Sequence, residues 1–143
     1  MKISCNDVDI QIATKAINDG AIVVFPTYTV YGLGCNPYNH DAVQSIYEIK
    51  KRKKTKPFPV IGYSKKELEK IVEFNSLEEK IADKFWPGPI TLILKIKDKE
   101  IQKSLDLEGK IAIAPSLIAL AAICISTSLH EIFKLFTFFN IQF

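Results

Sequence analysis

A short apolar run followed by a polar, glycine-rich segment constrains the fold of this 143-residue chain more than any other feature. Residues 21–25 (AIVVF) are continuously apolar, which is typical of a buried strand. Pro26 ends this run, and residues 26–39 are rich in Gly, Pro, Thr and Asn, which predicts a loop. In open α/β sheets, ligands bind beyond the carboxyl ends of the strands, which is where this loop would lie.

Helical and strand patterns follow one another along the rest of the chain. One helix is predicted over residues 7–19, with Gly20 as its stop, and another is capped by Asp41 and runs to about Lys50. Further strands are predicted over residues 58–63, 91–97 and 110–114. Both helices and strands are therefore expected along the chain.

Two capping-box patterns predict further helices after residue 63. They are Ser64 with Glu67 and Ser76 with Glu79. The second of these helices must end at the WPGP sequence of residues 86–89, because proline cannot continue a helix. A rigid turn anchored in the core by its tryptophan is the simplest interpretation of that sequence.

The positive charge of the chain is concentrated in one segment. Six cations occur within seven residues: Lys50, Lys51, Arg52, Lys53, Lys54 and Lys56. The net charge of the whole chain is only +3, so the remaining residues are acidic on balance. A partner that is attracted by charge would therefore be attracted to this segment.

Lys50 and Arg52 are the pair that we expect to bind a ligand. Their spacing at a helix end lets both reach one ligand once the helix unwinds, and a point charge beside a planar fork suits phosphate or carboxylate. For Lys51, Lys53 and Lys54, a solvated helix end is the simpler interpretation, since cations are mildly favourable there. Binding to nucleic-acid phosphates is a third interpretation of the segment.

The predicted loop after the first strand offers polar groups of its own. Thr27 and Thr29 carry hydroxyls, and Tyr31 offers an aromatic wall with a phenol. Gly32 and Gly34 would let a ligand approach the main chain. A tight turn with structural glycines is the alternative that these residues leave open.

Several motifs that indicate other classes of protein are missing from the sequence. There is no Walker A motif, no Gly-x-Gly-x-x-Gly, no His-Glu-x-x-His and no nucleophile elbow. The three cysteines and two histidines are widely spaced, so neither a metal site nor a disulfide framework is indicated. An enzyme of this kind is expected to work by positioning and charge stabilisation.

The two ends of the chain carry no membrane or export signal that we recognise. The N-terminal residues lack the apolar core of a signal peptide, which favours a cytoplasmic protein. Residues 111–130 are uncharged and long enough to span a membrane, but Pro, Ser and Thr interrupt them. We therefore predict a buried or frayed C-terminal segment and no membrane partner.

Three motifs in this order resemble the YrdC/YciO family, the threonylcarbamoyl-AMP synthases. They are PTYTVYGLG at residues 26–34, Lys50-x-Arg52 with Lys56-Pro57 and a following strand, and WPGPIT at residues 86–91. The resemblance covers about residues 8–113. It implies an α/β fold with a twisted open mixed sheet, flanking helices and a large basic cavity.

The resemblance also implies an activity. Members of the family condense L-threonine, bicarbonate and ATP to threonylcarbamoyl-adenylate and pyrophosphate. Mg²⁺ is the implied cofactor and binds together with ATP. A tRNA threonylcarbamoyl transfer machinery then modifies adenosine 37 of tRNA, so tRNA or double-stranded RNA is a further expected partner.

The resemblance assigns roles to individual residues of this chain. It implies that Lys50 and Arg52 are catalytic and hold the nucleotide phosphates and the threonine carboxylate. Lys56 is a further nucleotide-binding residue. The implied substrate-binding residues are Thr27, Thr29, Tyr31 and Thr91.

The chain departs from the family pattern in two places. Tyr28 stands where the family usually has an acidic residue, and the Arg-Val-Pro-like and Ser-x-Asn elements expected after residue 113 are not found. We therefore expect a partial YrdC-like domain over residues 1–114 and a divergent apolar segment over residues 115–143, with a truncated or altered C-terminal part. An active threonylcarbamoyladenylate synthase, a degenerate homologue that binds nucleotide or double-stranded RNA without catalysis, and a structural remnant are the three resulting expectations.

Overall fold

The computed structural model describes residues 7–26, 31–62, 64–88, 90–115 and 135–140 of the chain. Five helices lie in this part: α1 (Asp7–Asn18), α2 (His40–Ile49), α3 (Lys65–Leu68), α4 (Ser76–Phe85) and α5 (Lys99–Ser104). Seven strands lie there as well: β1 (Val23–Pro26), β2 (Tyr31–Cys35), β3 (Val60–Gly62), β4 (Val72–Glu73), β5 (Leu92–Ile96), β6 (Lys110–Pro115) and β7 (Leu135–Asn140). All the predicted helices and strands are found, with bounds that shift by a few residues.

The seven strands form one mixed sheet in the order β1-β2-β7-β3-β6-β5-β4. Strands β3 and β6 are parallel, with Val60 paired with Ile113. The other neighbouring pairs are antiparallel. The prediction of an α/β fold with a mixed sheet is therefore confirmed. Among the helices of the described residues, none is long and apolar enough to cross a membrane.

The core forms where helices pack on this sheet. Its largest fully buried side chains are Phe58, Ile46, Leu68, Ile71, Leu94, Ile101, Leu105 and Ile111. On α2, Val43, Ile46 and Tyr47 are buried on one face. Burying each such side chain contributes about 1.5–3 kcal/mol, so this face fixes how α2 sits on the sheet. Its C-terminal end is thereby fixed as well.

The loop predicted over residues 26–39 is wrong in its middle, because β2 lies there. Gly32 pairs with Phe25 and Gly34 pairs with Val23 of β1, and β7 pairs with the other edge of β2. Glycine has no side chain to display the period of two that reveals a strand, so the pattern was hidden. Both hydrogen-bonding edges of β2 therefore face a neighbouring strand rather than a ligand.

Two helix caps lie one or two residues before the predicted positions. Asn39 caps α2 in place of Asp41, and its side-chain oxygen accepts from the Ala42 N–H at 3.0 Å. Asn75 caps α4 in place of Ser76: its side chain accepts from the Glu78 N–H at 2.9 Å, and the Glu78 carboxylate accepts from the Asn75 N–H at 2.8 Å. Asparagine is as good an N-cap as serine or aspartate, so neighbouring candidates compete.

Ser64 caps α3 as predicted, accepting from the Glu67 N–H at 3.3 Å. The sequence patterns missed α5, β4 and β7. Strand β7 belongs to the segment after residue 114, yet it lies between β2 and β3 in the sheet. The division of the chain at residue 114 stays a prediction.

The α4 cap gives a direct stability test. Replacing Asn75 with Ala should lower the free energy of unfolding by about 1 kcal/mol, because two backbone N–H groups lose their acceptor. Ser76→Ala is the matched control, since Ser76 lies inside the helix and its loss should change stability by less than about 0.5 kcal/mol. Urea unfolding measures both variants. A larger loss for Ser76→Ala than for Asn75→Ala would contradict this assignment of the cap.

Candidate functional site

The C-terminal end of α2 turns the chain sharply into the basic segment. Lys51 has a left-handed backbone with φ of 48°. Its N–H donates to the Glu48 carbonyl, and the Arg52 N–H donates to the Tyr47 carbonyl, both at 3.0 Å. This pair of bonds is a Schellman motif, in which the left-handed position is usually glycine. Helix α2 therefore ends at Ile49, with Lys50 as its C-cap. The helix is thus unwound between Lys50 and Arg52, as we expect if both are to reach one ligand.

A cavity of about 460 Å³ opens beside this turn. The described residues that line it are all cationic: Lys50, Lys51, Arg52, Lys53 and Lys56. We call it the basic basin. Lys54, the remaining cation of the segment, pairs instead with Asp106 at 3.4 Å. Cations that converge on one concave surface concentrate the positive potential there, which favours an anionic ligand.

The Arg52 side chain folds back over its own loop. Its Nε donates to the Lys56 carbonyl at 3.0 Å, and Nη2 donates to the Pro57 carbonyl at 3.5 Å. The guanidinium carbon lies 5.0 Å from the centre of the Phe58 ring, within range of a cation–π interaction. Phe58 in turn packs on Tyr47, with ring centres 4.0 Å apart. Arg52 thus holds the loop closed while it lines the basic basin.

Burial and the Arg52 charge both act on the ionisation of two side chains, Lys50 and Tyr47. The pKa of Lys50 is lowered, first because the side chain is half-buried and then because the Arg52 charge lies nearby. Burial raises the pKa of Tyr47, although the Arg52 charge opposes the rise. A bound anion would relieve the repulsion between Lys50 and Arg52, so the basic basin is electrostatically suited to one.

The sheet register places two other predicted residues. A row of paired residues crosses the sheet through Cys35, Thr137, Val60, Ile113 and Leu92. Tyr31 is 37% exposed and is the first residue of β2. It lies on the side of this row where the chain passes from the basic basin into β3. Thr91 is exposed and immediately precedes β5. It lies on the opposite side of this row from Tyr31.

The structure therefore brings together part of the predicted set. Lys50, Arg52 and Lys56 share the basic basin. Thr27 and Thr29 lie outside the described residues.

The WPGP turn has a structural explanation of its own. The Trp86 Nε1–H donates to the Ile90 carbonyl at 2.8 Å, which closes the turn, and the ring meets Phe74 edge-on with centres 6.0 Å apart. A Cβ at Gly88 would collide with the Phe85 carbonyl oxygen, so only glycine fits there. The interpretation of this sequence as an anchored turn is confirmed.

Two residues of the site escaped the sequence analysis. Lys51 was interpreted as part of a solvated helix end, but it lines the basic basin with a left-handed backbone. Phe58 was placed in a strand, but it precedes β3 and supports Arg52. Neither glycine nor asparagine stands at position 51 to mark the left-handed end of the helix. The role of Phe58 depends on its packing against Tyr47, which no local pattern reveals.

Comparison with known proteins identifies relatives along much of the chain. A family model, Sua5_yciO_yrdC, described as telomere recombination, matches residues 15–129. A putative threonylcarbamoyl-AMP synthase of Methanocaldococcus jannaschii is 43% identical over 88 residues, which cover 62% of this chain and 42% of the relative. The threonylcarbamoyl-AMP synthase of Bacillus subtilis is 40% identical over 97 residues, covering 67% of this chain and 28% of the relative. The chain spans less than half the length of these relatives.

Solved structures agree with this assignment. Sua5 of P. abyssi, complexed with L-threonine, is 27% identical with a TM-score of 0.73, and the match covers 96% of this chain and 41% of that one. E. coli YciO shares the fold with a TM-score of 0.77 at 20% identity, over 97% of this chain and 68% of that one. The family model matches residues 15–129, which are more than half of this chain. The chain therefore belongs to the Sua5/YciO/YrdC family.

Proposed function

We propose that the protein binds ATP and L-threonine at the basic basin and, with bicarbonate, forms threonylcarbamoyl-adenylate and pyrophosphate. The observation that carries this proposal is the convergence of five cations on one cavity in a member of this family. The names of the relatives from M. jannaschii and B. subtilis, both threonylcarbamoyl-AMP synthases, support the reaction. The product would pass, in the cytoplasm, to the tRNA threonylcarbamoyl transfer machinery, with tRNA or double-stranded RNA as a further partner.

The chemistry brings anions together. The threonine amine would attack bicarbonate carbon to form a carbamate, with loss of water. A carbamate oxygen would then attack the α-phosphorus of ATP, and the bond to the bridging oxygen would break to release pyrophosphate. Lys50 and Arg52 would stabilise the developing negative charge, with Lys56 on the phosphates. Thr27, Thr29, Tyr31 and Thr91 stay predictions for the threonine pocket.

The described residues contain no group of three or more His, Cys, Asp or Glu side chains that could hold a metal ion. Mg²⁺ usually binds through one or two carboxylates together with substrate phosphates. We therefore propose that Mg²⁺ arrives with the ATP phosphates, where it would neutralise part of their charge.

The first prediction concerns turnover. Pyrophosphate release from ATP should depend on both threonine and bicarbonate, because the carbamate must form before the attack on phosphorus. A coupled phosphate assay, with threonine or bicarbonate omitted in turn, measures this dependence. Calorimetric titration of ATP and threonine separates the alternatives. Binding of both without pyrophosphate release would select the degenerate, nucleotide-binding homologue instead.

The second prediction concerns Arg52. Arg52→Ala should lower the rate of pyrophosphate release by about 100-fold or more, since one charge-stabilising group is lost and the loop is no longer held closed. Arg52→Lys should recover only part of the rate, because lysine lacks the planar fork.

Lys54→Ala is the matched control for Arg52. It removes the same charge from the same segment, but Lys54 pairs with Asp106 and does not line the basic basin. Its rate of pyrophosphate release should stay within about threefold of the unmodified protein, as expected for an exposed ion pair. Equal losses in Arg52→Ala and Lys54→Ala would show that net charge alone matters and would overturn the role given to Arg52.

A pH prediction follows from Lys50. Because burial and the Arg52 charge lower its pKa, Lys50 should lose its proton at a lower pH than a lysine in water. The affinity for ATP should therefore fall as the pH rises from neutrality toward the ordinary lysine pKa of about 10.4, and less so in Lys50→Arg, whose charge persists. Calorimetry across this range measures the change. Identical pH profiles for the two proteins would contradict a contact between Lys50 and ATP.

A further inference from the structure

Two residues other than glycine, Lys51 and Asp106, adopt a left-handed backbone in the described part of the chain, and Lys51 lines the basic basin. Lys51 has φ of 48° and lines the basin. Asp106 has φ of 50° and holds Lys54 outside it. Backbone strain of this kind concentrates at functional sites, where the surrounding structure maintains it. The strain at Lys51 therefore coincides with the convergent charge.

The turn at Lys51 does not need a lysine side chain. The two hydrogen bonds that form the turn use only backbone groups of residues 47, 48, 51 and 52. Glycine would make the same bonds without a clash between Cβ and the backbone. The presence of lysine at this position therefore calls for a function of its side chain.

Arg52 uses part of its hydrogen-bonding capacity within its own loop, which leaves a role for a further cationic side chain. Its Nε–H and one N–H of Nη2 are directed at the carbonyls of Lys56 and Pro57, so fewer of its donors can reach a ligand. A further cation on the same cavity wall would supply the missing contact. Lys51 is adjacent in sequence and lines the same cavity.

We propose that Lys51 is a ligand-binding residue of the basic basin, whose ammonium group contacts a phosphate of a polyphosphate ligand. This rests on the proposed function for the identity of the ligand, and on the backbone and cavity geometry for the residue. It predicts that stability and binding change in opposite directions when Lys51 becomes glycine.

The test uses the full chain and inorganic pyrophosphate as the probe. Lys51→Gly should raise the melting temperature by about 2–4 °C, because the strain is removed. The same variant should bind pyrophosphate about fivefold more weakly by calorimetry, as expected for the loss of one nearby charge. Lys51→Arg should keep the affinity within about twofold, because it keeps the charge.

Lys54→Ala again serves as the matched loss of charge outside the basin, and its affinity for pyrophosphate should not change. Affinity in Lys51→Gly equal to that of the unmodified protein would overturn the proposal, as would equal losses in Lys51→Gly and Lys54→Ala. Failure of the unmodified protein to bind pyrophosphate would also overturn it. Pyrophosphate binding that is weakened in Lys51→Gly, in a protein that releases none from ATP, would support the role of Lys51 and refute the proposed function.

Discussion

Two backbone hydrogen bonds at the end of α2, from the Lys51 N–H to Glu48 and from the Arg52 N–H to Tyr47, create the site. They stop the helix within one residue and reverse the chain, so that successive cations face one cavity instead of spreading around a helix. A helix that continued would separate Lys50 and Arg52 by about 200° around its axis. The basic basin therefore depends on how α2 ends.

The hydrophobic core fixes the position of that end. Ile46 and Tyr47 are buried against the sheet, and Phe58, which is 1% exposed, packs on Tyr47 just before β3 begins. Arg52 lies over the Phe58 ring and donates hydrogen bonds to the Lys56 and Pro57 carbonyls of the same loop. One aromatic pair thus connects core packing with the orientation of the guanidinium. Because packed cores resist small shifts, the end of α2 and the Arg52 guanidinium are held in place before any ligand arrives.

Much of the fold could be predicted from the sequence, since apolar runs, prolines and capping residues act locally. Strand β5, predicted over residues 91–97, and helix α4, predicted to end at the WPGP sequence, are examples. Strand β2 could not be predicted, because its glycines conceal the alternation of side chains. Strand β7 is paired with β2 and β3, which are distant in sequence, and such pairing has no local signal.

The candidate site divides in the same way. The concentration of positive charge at residues 50–56 could be inferred from composition. The choice of Lys50 and Arg52 as the two ligand-binding cations could be inferred from their spacing. The left-handed backbone of Lys51 could not, because neither glycine nor asparagine stands there to mark the end of the helix. The contact of Arg52 with Phe58 could not, because it depends on how Phe58 packs on Tyr47. The ion pair of Lys54 with Asp106 could not be inferred either, because the two residues are 52 positions apart in the sequence.

The central claim is that the end of α2 forms a binding site for the phosphates of a nucleotide. Titration of ATP into ¹⁵N-labelled protein, followed by amide chemical shifts, tests this most directly. The largest shift changes should occur at the amides of residues 50–56, with little change in α4. Changes centred elsewhere, for example on the cavity lined by Tyr38, His40 and Ser104, or no changes at residues 50–56, would contradict it.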